Sequence, residues 1–275
     1  MIANNSIYNT YQDQLDSFYL SLQQKQLDFK KERVLALTIQ MNRLRVLFLL
    51  LDSLLESQMA EEAFSIYKKI YKCMGRIQAF QLHQELVKGI DLRCLRKYIK
   101  DQKHKEHKEI QVLKKLLEGF SARSVLVEGK GIEQDLNRIS SHKIRAASQM
   151  IILQKLKTIG WRSTSIKGKQ DFLFIQKELD RTKEIWTLSN EMQIDLGFRE
   201  LEFRVFYLEE KIRDWRDLNR LLSSLDQFAK KKLKRKDQKT YHQIYDRLTG
   251  ELSRRESTLF TVLSDENFLK WKKYN

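Results

Sequence analysis

Apolar residues return along this chain every three or four positions, and they do so almost without interruption. Val34, Leu37, Met41, Leu44, Phe48, Leu51 and Leu55 form one such series. Ala63, Ile66, Ile70, Cys73, Ile77 and Phe80 form a second, which continues to Val87. Phe198, Leu201, Val205, Leu208, Ile212 and Trp215 form a third. An average step of 3.5 puts one apolar stripe on each helix and suits helices packed lengthwise in a bundle. A stripe from Phe198 to Leu225 would run about 40 Å at the helical rise of 1.5 Å per residue, so its packing partners must be long as well. The pattern predicts an all-α protein with no β-structure.

Breaks in the pattern are few. Ser57, Gln58 and Met59 can turn one long helix into the next, and Gly129-Lys130-Gly131 is the clearest turn in mid-chain. Ile159-Gly160-Trp161 with Ser163 to Gly168 predicts another turn, and Leu196-Gly197 and Thr249-Gly250 give weaker signals. The organisation expected is a pair of helical bundles, residues 1–128 and 129–275, built from long antiparallel helices and joined near 119–131. Gly75 lies in the middle of a helical pattern, where glycine costs about 1 kcal/mol relative to alanine. Close helix packing at that point is the expectation.

Composition agrees and adds a partner class. The 275 residues include no proline, only 9 glycines and 41% hydrophobic residues, which is enough for a core. Lys and Arg total 52 against 36 for Asp and Glu, a formal net charge of +16. Such an excess says little about fold. It favours polyphosphate, nucleic acid or an anionic membrane surface as partner, against the plainer reading of a basic protein with no dedicated anion. The longest unbroken apolar run, Val46 to Leu51, is too short to span a bilayer, and no basic-then-apolar leader opens the chain. The expectation is a cytoplasmic protein without membrane insertion.

Chemistry-bearing motifs are scarce. Cys73 and Cys94 belong to no CxxC pattern, and Cys73 falls on an apolar stripe, so it reads as core. His104 and His107 would share a helix face, but no acid or cysteine completes a metal site. There is no glycine-rich phosphate loop, HExxH or nucleophile elbow. These readings predict no catalysis, no cofactor and no metal. What remains is basic striping. Lys69, Lys72, Arg76 and His83 lie on one stripe beside an apolar seam, with no acid among them. Arg213, Arg216 and Arg220 make a similar stripe around Trp215. The helix carrying Arg43 and Arg45 precedes the first, and the helix carrying Lys177 and Arg181 precedes the second. The offset that carries Gly75 onto Arg213 differs by one residue from the offset that carries Asn42 onto Arg181. That agreement predicts an internal duplication.

The segments Arg43-Leu-Arg45-Val-Leu-Phe48, Gly75-Arg-Ile-Gln-Ala-Phe-Gln81 and Asp214-Trp-Arg-Asp-Leu218 resemble the CHAD domain, the conserved-histidine α-helical domain. The resemblance covers roughly residues 10–263. It implies two helical bundles related by a pseudo-twofold, with inorganic polyphosphate bound in a basic groove between them and an association with polyphosphate granules. It also places Leu35 and Phe174 where the family has its histidines, and Thr38 and Lys177 three residues later. The expected anion ligands are then Arg43, Arg45, Lys69, Lys72, Arg76, Lys177, Arg181, Arg213, Arg216 and Arg220. Two alternatives stand beside this reading. One is a nucleic-acid-binding protein, supported by the same charge and by the run Lys230 to Lys236. The other is a helical scaffold whose anion site has decayed.

Overall fold

The computed structural model describes residues 7–23, 29–55, 59–88, 90, 95–118 and 139–264. Among them every regular element is helical: α1 Ile7–Gln23, α2 Lys31–Leu55, α3 Met59–Lys88, α4 Arg96–Glu118, α5 Ser141–Ser163, α6 Lys169–Glu191, α7 Arg199–Lys232 and α8 Gln238–Ser264, with a 3-10 turn at Arg235–Asp237. The expected junction and Gly129-Lys130-Gly131 lie outside the described residues. The turn expected at 57–59 is bracketed by the end of α2 and the start of α3.

Cross-helix contacts give the directions. Between α5 and α6 the partners run Ser148–Ser189, Lys155–Glu178 and Arg162–Asp171. Between α6 and α7 they run Lys169–Asn219, Lys183–Glu209 and Asn190–Glu202. Each pair rises on one helix as it falls on the other, which is antiparallel packing. The same holds for α2 with α3, through Lys31–Glu85 and Asn42–Tyr71. Long helices joined by short turns have no other way to bury their apolar stripes on each other.

The two sets of helices meet through α2, which packs on α1, α3, α5 and α6, while α3 also touches α7. This position explains why α2 is so apolar. Val34, Leu37, Met41, Leu44, Leu47 and Leu51 are all buried, and so are Val46 and Leu50 away from the first stripe. By length and composition α2 could cross a membrane, which the short run Val46–Leu51 does not suggest. Half of its apolar window is buried inside the bundle. In the middle of α7, Trp215 is fully buried, packs on Phe172 at 5.0 Å between ring centres and donates its indole N–H to Glu256 at 3.0 Å. Tyr98 of α4 reaches α7 both by ring contact with Phe228 and by donating to Ser224 at 2.9 Å.

Three expectations about glycine are overturned. Gly160 lies inside α5 and Gly250 inside α8, and the chain turns only at 164–168 after α5. At Gly75 a Cβ would meet nothing within 4 Å, so no neighbouring helix demands a glycine there. The turn after α6 does use one: Gly197 has φ +74°, a left-handed conformation that suits glycine. The break that the pattern missed is the one between α7 and α8. It falls inside the lysine-rich run, and Lys232 there pairs with Asp101 of α4.

Candidate anion-binding site

Where α2 and α3 meet α6 and α7, side chains from all four helices converge on a mixed charged cluster. Arg45 of α2 hydrogen-bonds the Tyr71 hydroxyl of α3 and lies close to Arg181 and Glu178 of α6. Tyr71 in turn donates to Asn42 Oδ1 at 2.8 Å and lies near Asp180 and Arg216. Burial pushes the Tyr71 hydroxyl above its ordinary pKa. Thus Tyr71 ties α3 to α2 through Asn42 and Arg45 and lies beside charges of the other half.

Two of the acids in this region are each held by two cations. Glu178, buried, accepts from Lys155 Nζ at 2.7 Å and Arg181 Nη1 at 2.9 Å. Glu209, also buried, accepts from Lys183 Nζ at 2.8 Å and has Arg213 Nη1 at 3.7 Å. Arg216 is paired with Asp217 at 2.9 Å. Asp180 lies near Glu209 and is pushed up to about 7, first by burial and then by the charge of Glu209.

The named cations outnumber the named acids, and the arginines and lysines register it. Lys177 is drawn below its ordinary pKa by Arg181 first, then by burial and by Arg45. Arg45 is lowered by burial first and then by Arg181. Arg220, exposed as a residue yet crowded by protein, is lowered by burial and then by Arg216. Arg181 beside Lys177 and Arg45, and Arg216 beside Arg220, make a region dense in positive charge, which a phosphate chain would relieve.

The structure therefore brings together Arg45, Lys177, Arg181, Arg213, Arg216 and Arg220 from the sequence-derived set. Arg43 and Arg76 are engaged by acids outside this group. Arg43 is turned toward the ion pair with Glu191 at 3.0 Å. Arg76 is exposed and donates through Nε to Glu109 of α4 at 2.7 Å, so an acid does serve that stripe, supplied from another helix. Lys69 and Lys72 share the stripe of Arg76 at spacings of seven and four, and both are exposed. Of the α3 stripe, Arg76 is thus engaged by α4. His83 leaves the stripe altogether: it is buried beside Gln102 of α4 and Arg220 of α7. Burial lowers its pKa.

Sequence reasoning passed over Tyr71, Lys155, Asp180, Lys183 and Glu209. Tyr71 is a single polar-tipped aromatic beside a seam position, and the others are ordinary charged residues whose meaning comes only from the helix opposite. His104 and His107 are exposed on α4, and among the described residues no group of three or more potential ligands could hold a metal. A separate open pocket of about 540 Å³ lies at the start of α2, lined by Phe29, Lys31, Gln81, Gln84, Glu106 and Lys114 among others. None of the expected ligands lines it. No protein-family model, curated protein or solved structure matches this chain.

Proposed function

We propose that this protein binds inorganic polyphosphate, or a similar linear polyanion, without acting on it chemically. The observation that carries the reading is the cluster of Arg45, Lys177, Arg181, Arg216 and Arg220, contributed by α2, α6 and α7, in which Lys177 is lowered first by Arg181, and Arg45 and Arg220 first by burial and then by Arg181 and Arg216. A linear polyanion carries charge on every repeat and needs no base-specific contact. Arginine offers it paired N–H donors and lysine a mobile charge. Release of counterions would supply much of the affinity.

We further propose that the chain is an internally duplicated, CHAD-like domain of two bundles. In the alignment of halves drawn from the sequence, α2 corresponds to α6 and α3 to α7. Both pairs touch across the molecule, α2 with α6 and α3 with α7, as α2 also does with α5. A twofold relation between halves brings equivalent helices together in this way. Titration with long-chain polyphosphate, RNA and DNA at two salt concentrations tests the function. Polyphosphate should bind most tightly, with affinity falling steeply as salt rises, and no phosphate should be released. Equal affinity for all three would favour diffuse attraction or nucleic-acid binding.

One observation favours a second reading, the helical scaffold with a decayed anion site. Leu35 and Phe174, at the positions where the resemblance puts histidine, are large apolar side chains left 40% and 36% exposed. No measurable polyphosphate binding at low salt would decide for it.

A further inference from the structure

Away from the cation cluster, buried polar groups line the open pocket of about 540 Å³ where the start of α2, the end of α3 and the middle of α4 come together. Hydrogen bonds build its floor. Gln81 of α3 donates through Nε2 to the Phe29 carbonyl at 2.9 Å and to Glu106 Oε1 at 2.8 Å, and Gln84 donates to Glu106 Oε2 at 2.6 Å. Both glutamines are only 8% exposed. Among the described residues no lysine or arginine forms an ion pair with Glu106; its nearest charged neighbours on α4, Lys105 and Glu109, pair with Asp101 and Arg76. Gln81 has one more acceptor to offer. Its Nε2 stands between two oxygens, so the amide cannot be turned round without setting oxygen against oxygen. Oε1 is therefore fixed, buried, and met by no donor among the described residues. An amide oxygen so placed gains more than most from a ligand that brings an N–H.

The register of the helices orders the other groups. Glu106, Ile110 and Lys114 follow at intervals of four along one face of α4, which puts Lys114 about 12 Å along the helix from Glu106. On α3, Lys88 lies about 10 Å beyond Gln81. The two helices are antiparallel, through Arg76–Glu109 and Gln84–Glu106, so the two lysines come from opposite ends. Both are exposed, and neither is in an ion pair among the described residues, whereas Lys31 is paired with Glu85. Acceptors thus sit in the middle, Phe29 and Ile110 give an apolar wall, and ammonium groups stand at the ends, with the exposed Glu32 at the rim.

We propose that this pocket binds a small zwitterion, a molecule with an ammonium group and a carboxylate or phosphate a few bonds away, as in an amino acid. The ammonium gives its N–H donors to Gln81 Oε1 and to Glu106, and the acid group meets Lys114 or Lys88. A simple anion would face Glu106 and leave Gln81 Oε1 without a donor. A simple cation would leave the two lysines unmatched. The volume holds a ligand of about ten non-hydrogen atoms with room to spare. None of the cation cluster lines this pocket, so the inference stands apart from the polyanion reading.

The test is calorimetric titration of the full chain with glutamate and with phosphoethanolamine, each beside the analogue that lacks one charge, glutarate and ethanolamine. At least one zwitterion should bind, about tenfold or more tighter than its analogue, as expected when one charged hydrogen bond is lost. Which of the two binds better identifies the acid group. Glu106→Gln removes the carboxylate under the ammonium and should weaken that binding about tenfold or more. Changing Lys88→Gln and Lys114→Gln together alters only exposed side chains. It should weaken the zwitterion by a similar factor and leave ethanolamine no weaker than before. No binding of either zwitterion overturns the proposal, as does glutarate binding as tightly as glutamate with ethanolamine matching phosphoethanolamine. Zwitterion affinity unchanged by the lysine pair overturns it too. That pair leaves Gln81 and Glu106 in place, so it decides the matter even where Glu106→Gln folds poorly.

Discussion

Replacing Lys177, Arg181 and Arg220 together by Gln is the sharpest test of the cluster. These three come from α6 and α7, and their loss leaves the buried Glu178 still paired with Lys155 at 2.7 Å. The fold should therefore survive. If each cation neutralises one phosphate, the slope of log affinity against log salt falls by about 0.7–0.9 per lost contact, or about 2–3 for the triple change. Between 50 and 200 mM salt the parent should then lose about 20- to 40-fold more affinity than the variant does. Fluorescence anisotropy with labelled polyphosphate at four salt concentrations gives both slopes directly. The matched control replaces Lys230, Lys231 and Lys232 by Gln at the exposed end of α7, ten residues or more beyond Arg220 along the same helix. Its slope should change by less than about one unit. Equal slopes for the two variants would refute the cluster, since charge would then count wherever it lies.

Other consequences can be checked without a ligand. Gly75→Ala and Gly250→Ala should each stabilise the protein by about 1 kcal/mol in urea denaturation, because the new methyl meets nothing within 4 Å at either site and removes a mid-helix glycine. Leu47→Ala, at the fully buried centre of α2, should cost about 2–5 kcal/mol by the same assay. Burial, reinforced by the hydrogen bond to Glu109, pushes the Cys73 thiol up to about 12, so in a Cys94→Ser background a thiol reagent at pH 8 should label the chain only after unfolding. Asp180 has a folded-state pKa above its unfolded value, so it favours the folded state fully only below the unfolded value and loses that contribution as pH rises to about 7. Asp180→Asn should accordingly raise the urea midpoint more at pH 8 than at pH 5.

The helices were legible because burial is periodic. Val34, Leu37, Met41, Leu44, Phe48 and Leu51 are all buried in α2, and Leu201, Val205, Leu208, Ile212 and Trp215 in α7. Helix ends were less so. Glycine was read as a stop at Gly160 and Gly250, yet one glycine costs a long packed helix only about 1 kcal/mol, far less than its buried face contributes. The true stop after Lys232 has neither glycine nor proline. It comes where Lys234, Arg235 and their neighbours offer no apolar stripe to bury. In the cluster, the cations of α6 and α7 could be named because stripes on one helix follow from spacing. The pairing of Tyr71 with Arg45, and the nearness of Asp180 to Glu209, depend on which helices face each other and at what height. No local spacing encodes that, which is also why the acid that Arg76 meets, Glu109 of α4, could not be read from its own stripe.

The position of α2 has a consequence during synthesis. Its contacts with α5 and α6 join residues of the chain's first fifth to residues that leave the ribosome roughly 100 or more positions later, about ten seconds at common elongation rates. Through that interval α2 has apolar surface with nothing yet made to cover it, and Arg45 lacks the carboxylate of Glu178 that will later lie beside it. The nascent first half is thus both sticky and positively charged beside an RNA-rich ribosome surface. A cell that makes this protein in quantity would be expected to hold that half with a chaperone until α6 arrives. Ribosome-bound chains stopped near residue 130 should be more protease-sensitive in α2 than chains carried past residue 230.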